Sequence, residues 1–443
     1  MRSETEKQSL LELEVAKNSS STLPQVSLNA GGFLNDFDRA DQSLNFLPWY
    51  NLNAGMRVDQ KLFSATDQST LRISQEKARI HAEDINLKRE MLQLQFAQAY
   101  LRLCYAKIKE NASRNLLGRV RNVYDVAKRL STNNPKIEPD VLSLEAELQR
   151  YKNNVLNAQS YTRQVEIALN QAMWIPLDIS IQVAESDLKE DVSLKELRLM
   201  EYMEEPKSFP LFSQVFLELG LESNSDLLLQ RSKKYLSRME LEESRNNQLD
   251  PEVGAYAIAR WNFLQASDER FEREAVSSIV QERDNFDWTA GVYMEVPIFD
   301  GFYKKNQISQ KFGELVQEEK AYEAQKRTLE SDIRKQLIEL NTRYRGIAFN
   351  QKAEESALKS FEKMLLLYER GEVGLSDVLA VHSLANDSYF SYLDSLFAFR
   401  LAFVSSLGKL GMLDYYTDNS VSDKLFSELD RVYQSKGFRT PKD

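Results

Sequence analysis

The dominant pattern in the chain is an apolar repeat of seven, Ile73, Ile80, Leu87, Leu94, Leu101 and Ile108, inside a run from Ser64 to about Leu130 that holds no proline and one glycine, Gly118. A heptad kept over that distance predicts a single helix committed to a helical neighbour along its length. At ~1.5 Å per residue such a helix would reach roughly 100 Å. The run stops at Ser131-Thr132-Asn133-Asn134-Pro135, and Glu138-Pro139-Asp140 starts another helix. Proline suits a first helical turn because the N–H it lacks would have no partner there. From Val141 the apolar positions Leu144, Leu148, Tyr151, Val155, Ala158, Val165, Leu169 and Ala172 again alternate threes and fours, which predicts an antiparallel helical hairpin.

Ahead of that hairpin the period changes to two. Val26, Leu28 and Ala30 alternate with Gln25, Ser27 and Asn29, and Tyr50, Leu52, Ala54, Met56 and Val58 alternate with Asn51, Asn53, Gly55 and Arg57. One apolar and one polar face is the pattern of a half-exposed strand, so a strand pair is expected over about 23–63, preceded by a short helix over residues 4 to 19.

The arrangement then recurs. Phe286, Trp288, Ala290, Val292, Met294 and Val296 alternate against polar partners, a long helix runs from about Gly301 to Arg370, a turn covers Gly371 to Gly374, and a return helix reaches about Leu410. Phe63 to Asp140 is 77 residues and Phe299 to Asp377 is 78, too close a match for two helices of independent origin. The expected organisation is a first repeat over 1–173, an irregular side region over 174–250, a second repeat over 251–410 and an irregular segment with a polar tail over 411–443. The fold class is mainly α with a small β part.

Composition narrows the function. A net charge of −10 argues against nucleic acid, which calls for a basic stripe. The lone cysteine, Cys104, sits inside the long helix as a small apolar residue and has no disulfide partner in the chain. His81 and His382 lie on helices far apart in sequence and read as packing or surface residues. With no phosphate loop, zinc spacing or nucleophile elbow, no enzyme and no cofactor is expected. No stretch approaches ~20 uncharged apolar residues, and the N-terminus lacks the apolar core of a signal peptide, which leaves a cytosolic protein or a processed chain; a β-barrel would carry neither signal.

Four strands cannot close a barrel, which needs about eight, so closure must come from several chains. Trp49, Tyr50, Trp261, Phe286 and Trp288 stand near the strand ends, where aromatics suit a membrane interface. The same aromatics would also suit the inside of a soluble sandwich.

At this point the residues resemble a known family. Val296-Pro297-Ile298-Phe299-Asp300-Gly301 is similar to the strand-to-helix signature of the TolC-type outer-membrane efflux proteins. Tyr368, Gly371, Gly374 and Asp377-Val378-Leu379, Leu23-Pro24 and the tandem repeat extend the resemblance from residue 5 to about 411. It implies a homotrimer in outer-membrane lipid, with a 12-stranded barrel continuing into a helical tunnel that docks a periplasmic adaptor and an inner-membrane pump. It also implies a gate at the hairpin turns: Asp377 in the constriction, Asp140 as a latch carboxylate and Tyr368 as its hydroxyl donor, with Gly371 and Gly374 shaping the turn. The family's latch arginine aligns with Val373 and its second pore aspartate with Ala380, which implies a more weakly latched and less charged tip, with Arg370 a candidate substitute for the arginine. Asp140 and Asp377 also fit as plain helix N-terminal acids. A periplasmic adaptor with coiled-coil hairpins is the alternative, although adaptors have one hairpin and this chain has two.

Overall fold

A computed structural model of the chain describes residues 2–36, 39, 50–133, 135–184, 194–204, 209–247, 249, 251–266, 285–416 and 419–436. Its elements run α1 (Arg2–Ser20), β1 (Gln25–Leu34), β2 (Tyr50–Ser64), α2 (Ala65–Asn133), α3 (Glu138–Met173), α4 (Leu194–Glu204), α5 (Phe209–Ser223), α6 (Ser225–Asn246), β3 (Glu252–Ala266), β4 (Phe286–Glu295), α7 (Tyr303–Glu369), α8 (Leu375–Lys409) and α9 (Asn419–Ser435). The helical pair of the first repeat has 69 and 36 residues and that of the second has 67 and 35, which is the duplication the spacing predicts. Trp49, residues 185–191 of the side region and residues 267–284 fall outside the described residues.

Two compact units are present, residues 1–85 with 229–322 and residues 86–228 with 323–443. This division runs across both repeats rather than between them.

The first unit holds one antiparallel sheet in the order β1-β2-β3-β4, so the two predicted strand pairs are joined through β2 and β3. Register follows the period-two pattern. Val26 faces Val58, Leu28 faces Met56 and Ala30 faces Ala54. The row continues across β3 and β4 with Ala257 opposite Ala290, Ala259 opposite Trp288 and Trp261 opposite Phe286. A one-residue slip would carry all of these to the other side, so the apolar face fixes the pairing. That face is not covered: Leu28 keeps 82% of its surface exposed, Val292 71% and Trp288 70%.

The opposite face is polar and connected. Arg57 pairs with Asp59 at 2.6 Å, Lys61 with Glu252 at 3.3 Å, and Tyr293 Oη donates to Glu252 Oε1 at 2.9 Å. Two glycines there make room for tyrosine rings from the neighbouring strand. A Cβ on Gly254 would lie 2.5 Å from the Tyr293 ring, and one on Gly291 would lie 2.9 Å from Tyr256 Oη. Below the sheet, Glu243 of α6 accepts from Ser69 Oγ at 2.6 Å and pairs with Arg72, while Lys311 of α7 pairs with Glu240 at 2.6 Å.

The second unit contains most of both helical hairpins, from residue 86 of α2 and residue 323 of α7 onward. Ala127 shares a buried cluster with Leu144, Val120 packs with Tyr151, and Thr162 Oγ1 donates to the Ala106 carbonyl at 3.4 Å. One number rises as the other falls, so α2 and α3 are antiparallel. The same holds for α7 and α8, where Tyr344 packs on Phe399 and Phe361 on His382. Of the heptad residues, Ile80 and Ile108 are buried and the other four half-buried. The deepest stripe of α2 is Leu103, Ala106, Ala112, Leu116, Val120, Val123 and Ala127, broader than the heptad seam because more than one helix packs on it.

One expectation needs correction. The segment after 410 is not irregular: α9 buries Leu425, Phe426, Leu429 and Tyr433 on one face, and Tyr433 Oη donates to the Tyr202 carbonyl at 2.8 Å. Spacings of four between apolar residues carried that helix, and the surrounding polar residues masked it. Among the described residues, α8 has the length and mean hydropathy of a membrane span, with 44% of that window buried, but Asp387, Asp394 and Arg400 break it into short uncharged runs. Its apolarity goes into the helical core, where Leu393, Leu396, Phe399, Phe403 and Leu407 are buried.

Candidate gate at the helical turns

Two turns close the hairpins. In the first, α2 ends at Asn133, Pro135–Ile137 forms one tight turn, and α3 opens with Pro139 in its first positions and Glu138 and Asp140 beside the helix dipole. In the second, α7 ends in a Schellman motif. The Glu372 N–H donates to the Leu367 carbonyl and the Gly371 N–H to the Tyr368 carbonyl, both at 2.9 Å, with Gly371 at φ +72°. That left-handed position suits glycine because a Cβ would crowd the following carbonyl.

The turns share one core of Val123, Val126, Ala127, Leu144, Ala357, Phe361, Tyr368, Leu375, Val378 and Ala385, with Val373 packed against it. Within it Tyr368 Oη donates to Asp140 Oδ2 at 3.0 Å. Tyr368 is buried, so its hydroxyl is held well above the usual tyrosine range, first by desolvation and then by the Asp140 carboxylate it serves. A neutral phenol bonded to a carboxylate ties the start of α3 to the end of α7.

Asp377 has a different partner. Its carboxylate is exposed, and Oδ2 accepts from the Gly374 N–H at 3.4 Å, capping α8. Gly374 itself is extended, at φ −83°. Arg370 is exposed and, among the described residues, pairs with no carboxylate. Val373 is half-buried in the apolar cluster and Ala380 is exposed.

Sequence reasoning missed a polar group beside this core. His382 is buried with Tyr151 and Asn386: Asn386 Nδ2 donates to Tyr151 Oη at 2.6 Å and lies 3.3 Å from His382 Nδ1, and Tyr151 Oη lies 3.5 Å from that nitrogen. Burial, then the charges of Arg119 and Arg150, lower the imidazole to about 4. The native state therefore holds His382 neutral, while the unfolded chain takes up a proton below about pH 6.5. Stability from this group is full above pH 6.5 and lost as pH falls toward 4, to a limit of about 3 kcal/mol per copy. The denaturant midpoint of the wild type should fall over that window, and His382→Gln should flatten the dependence; equal slopes would show that His382 does not titrate there.

The aromatics expected at a membrane interface, Trp49 aside, fall near one end of the strands, and a second aromatic set lies near the other. Tyr50, Trp261 and Trp288, with Phe286, lie in the half of the apolar face nearest the inter-strand connectors, and the Trp261 and Phe286 rings are 4.8 Å apart. A second set, not singled out from sequence as interfacial, follows the other end of β4: Phe299, Phe302 and Tyr303 are exposed, the first two edge to face at 5.5 Å.

No protein-family model matches the chain, and no curated protein matches it in sequence. Solved structures do. CusC, described for conformational changes accompanying folding and transmembrane channel formation, covers 93% of this chain and 88% of its own at 15% identity and a TM-score of 0.69. The outer membrane protein VceC of Vibrio cholerae covers 92% of each chain at 12% identity and 0.69. The Campylobacter jejuni CmeC outer membrane channel covers 98% of this chain and 87% of its own at 14% identity and 0.66. The fold is thus that of the outer-membrane channels the sequence resembles.

Proposed function

We propose that this chain is the outer-membrane exit duct of an efflux or type I secretion system, a passive conduit gated at its helical turns. The observation that carries the reading is the sheet. Its apolar side chains are paired apolar to apolar across all four strands and left exposed, while its other face is a connected polar network. A solvated protein does not leave so large an apolar face in water, and a bilayer is the solvent that such a face fits. The polar face then lines a lumen. With β1 and β4 at the sheet's edges, three copies joined edge to edge would supply the 12 strands of a closed wall.

On this reading the duct spans the outer membrane, extends into the periplasm, and engages an adaptor and an inner-membrane pump. The repeats at 1–173 and 251–410 supply equal shares of barrel and tunnel. The adaptor alternative is not favoured, because each long hairpin follows its own strand pair and 93% of the chain is matched by a channel fold. Density-gradient separation of membranes tests the location: the protein should move with the outer membrane, and a position in the soluble periplasm would contradict it.

Asp377 is assigned to the constriction, where a ring of three carboxylates would bind cations. Asp377→Ala should weaken divalent-cation block in planar-bilayer recordings several-fold. Loss of the α8 cap alone would lower stability by about 1 kcal/mol and leave block unchanged, so unaltered block would reduce Asp377 to a capping residue.

A further inference from the structure

The first unit contains a constellation outside the gate. His81 and Asp84 stand three apart on α2 and so share a face. Glu4, in the first turn of α1, meets them from a helix that lies more than seventy residues earlier. The face of α1 that packs is Glu4, Gln8, Leu11, Val15 and Asn18, spaced four-three-four-three, while Leu10 and Leu13 remain exposed. Glu4 ends that seam, and its place there sets its carboxylate beside the imidazole.

The distances suit a ligand set. His81 Nε2 lies 3.8 Å from Glu4 Oε2, and His81 Nδ1 lies 3.9 Å from Asp84 Oδ2. One ring nitrogen and one oxygen from each carboxylate fall within 4.8 Å of one another. Ligands ~2.1 Å from a tetrahedral zinc are roughly 3.4 Å apart, so side-chain adjustments of about 1 Å would close the set. His81 is largely buried, with 11% of its side chain exposed, and its Nε2 has no hydrogen-bond partner among the described residues. A buried imidazole nitrogen left in that condition is costly unless something binds it.

We propose that Glu4, His81 and Asp84 form a binding site for a first-row divalent transition-metal cation that fastens α1 to α2. The imidazole selects against calcium and magnesium, which prefer all-oxygen sites, and the two carboxylates neutralise the cation's charge. Three protein ligands leave a fourth position for water. The role is structural: α1 buries few large apolar side chains, and a shared cation supplies the attachment that packing provides elsewhere.

The test uses the full chain in detergent with any affinity tag removed, since a histidine tag would bind the same ions. After dialysis against micromolar Zn²⁺ and a metal-free wash, elemental analysis should find about one zinc per chain. Co²⁺ in its place should give the visible absorption of a low-coordinate nitrogen–oxygen site. His81→Ala should weaken retention at least about tenfold. Asp84→Asn and Glu4→Gln keep side-chain shape, so each should lower affinity with the helical circular dichroism unchanged. No zinc on the wild type, or retention that survives all three substitutions, overturns the site.

Discussion

Arginine in place of Leu28 or Val292 is expected to abolish assembly in the outer membrane, while arginine in place of Thr289 leaves it nearly intact. Leu28 and Val292 lie on the exposed apolar face, and Thr289 lies on the face shared with Arg57 and Arg260. A cationic side chain facing lipid at mid-depth costs about 2–4 kcal/mol, and the substitution would repeat in every copy. On the lumen side the same charge remains in water. The measurement is the amount of heat-resistant oligomer in isolated outer membranes. Equal amounts for Leu28→Arg and Thr289→Arg would mean that lipid does not cover the apolar face.

Removing one oxygen atom at the proposed gate should have the second-largest effect. Tyr368→Phe keeps the ring in its cluster and deletes the hydroxyl that serves Asp140. A hydrogen bond to a carboxylate is worth about 1.5–3 kcal/mol, and 1.4 kcal/mol is a tenfold change in an equilibrium. The open population of each copy should rise at least about tenfold, visible as higher single-channel conductance. Asp140→Asn, which keeps an acceptor oxygen, should open the channel less. Wild-type conductance in Tyr368→Phe would leave the bond a structural detail.

Periodicity made the frame legible. Residues that alternate by two or by threes and fours face one neighbour repeatedly, so β2, α2 and their counterparts β4 and α7 could be placed within a few residues. What the pattern could not supply was the partner. That Met56 pairs with Ala259, joining the two strand pairs into one sheet, depends on contacts about 200 residues apart. The heptad of α2 likewise drew attention to Leu87 and Leu94, whereas Leu103 and Val120 are deeper because helices from both repeats pack on that segment. Helix α9 was hidden by its polar residues, although Leu425, Leu429 and Tyr433 carry the spacing.

At the proposed gate, Asp140 and Tyr368 are legible through resemblance alone, since nothing local in either sequence points to the other. His81 and His382 show the limit more sharply. Both read as unremarkable helix residues, yet one meets a carboxylate from a separate helix and the other is buried with Tyr151 and Asn386. A titratable group takes its character from what surrounds it, and that is a tertiary property.

The central claim is that one chain forms a third of a wall. Gentle detergent extraction from the outer membrane, followed by native mass measurement of the protein alone, addresses it directly. The predicted species has three times the 51.2 kDa mass of the chain. A folded single copy, stable without detergent and with its apolar strands out of water, would contradict the account.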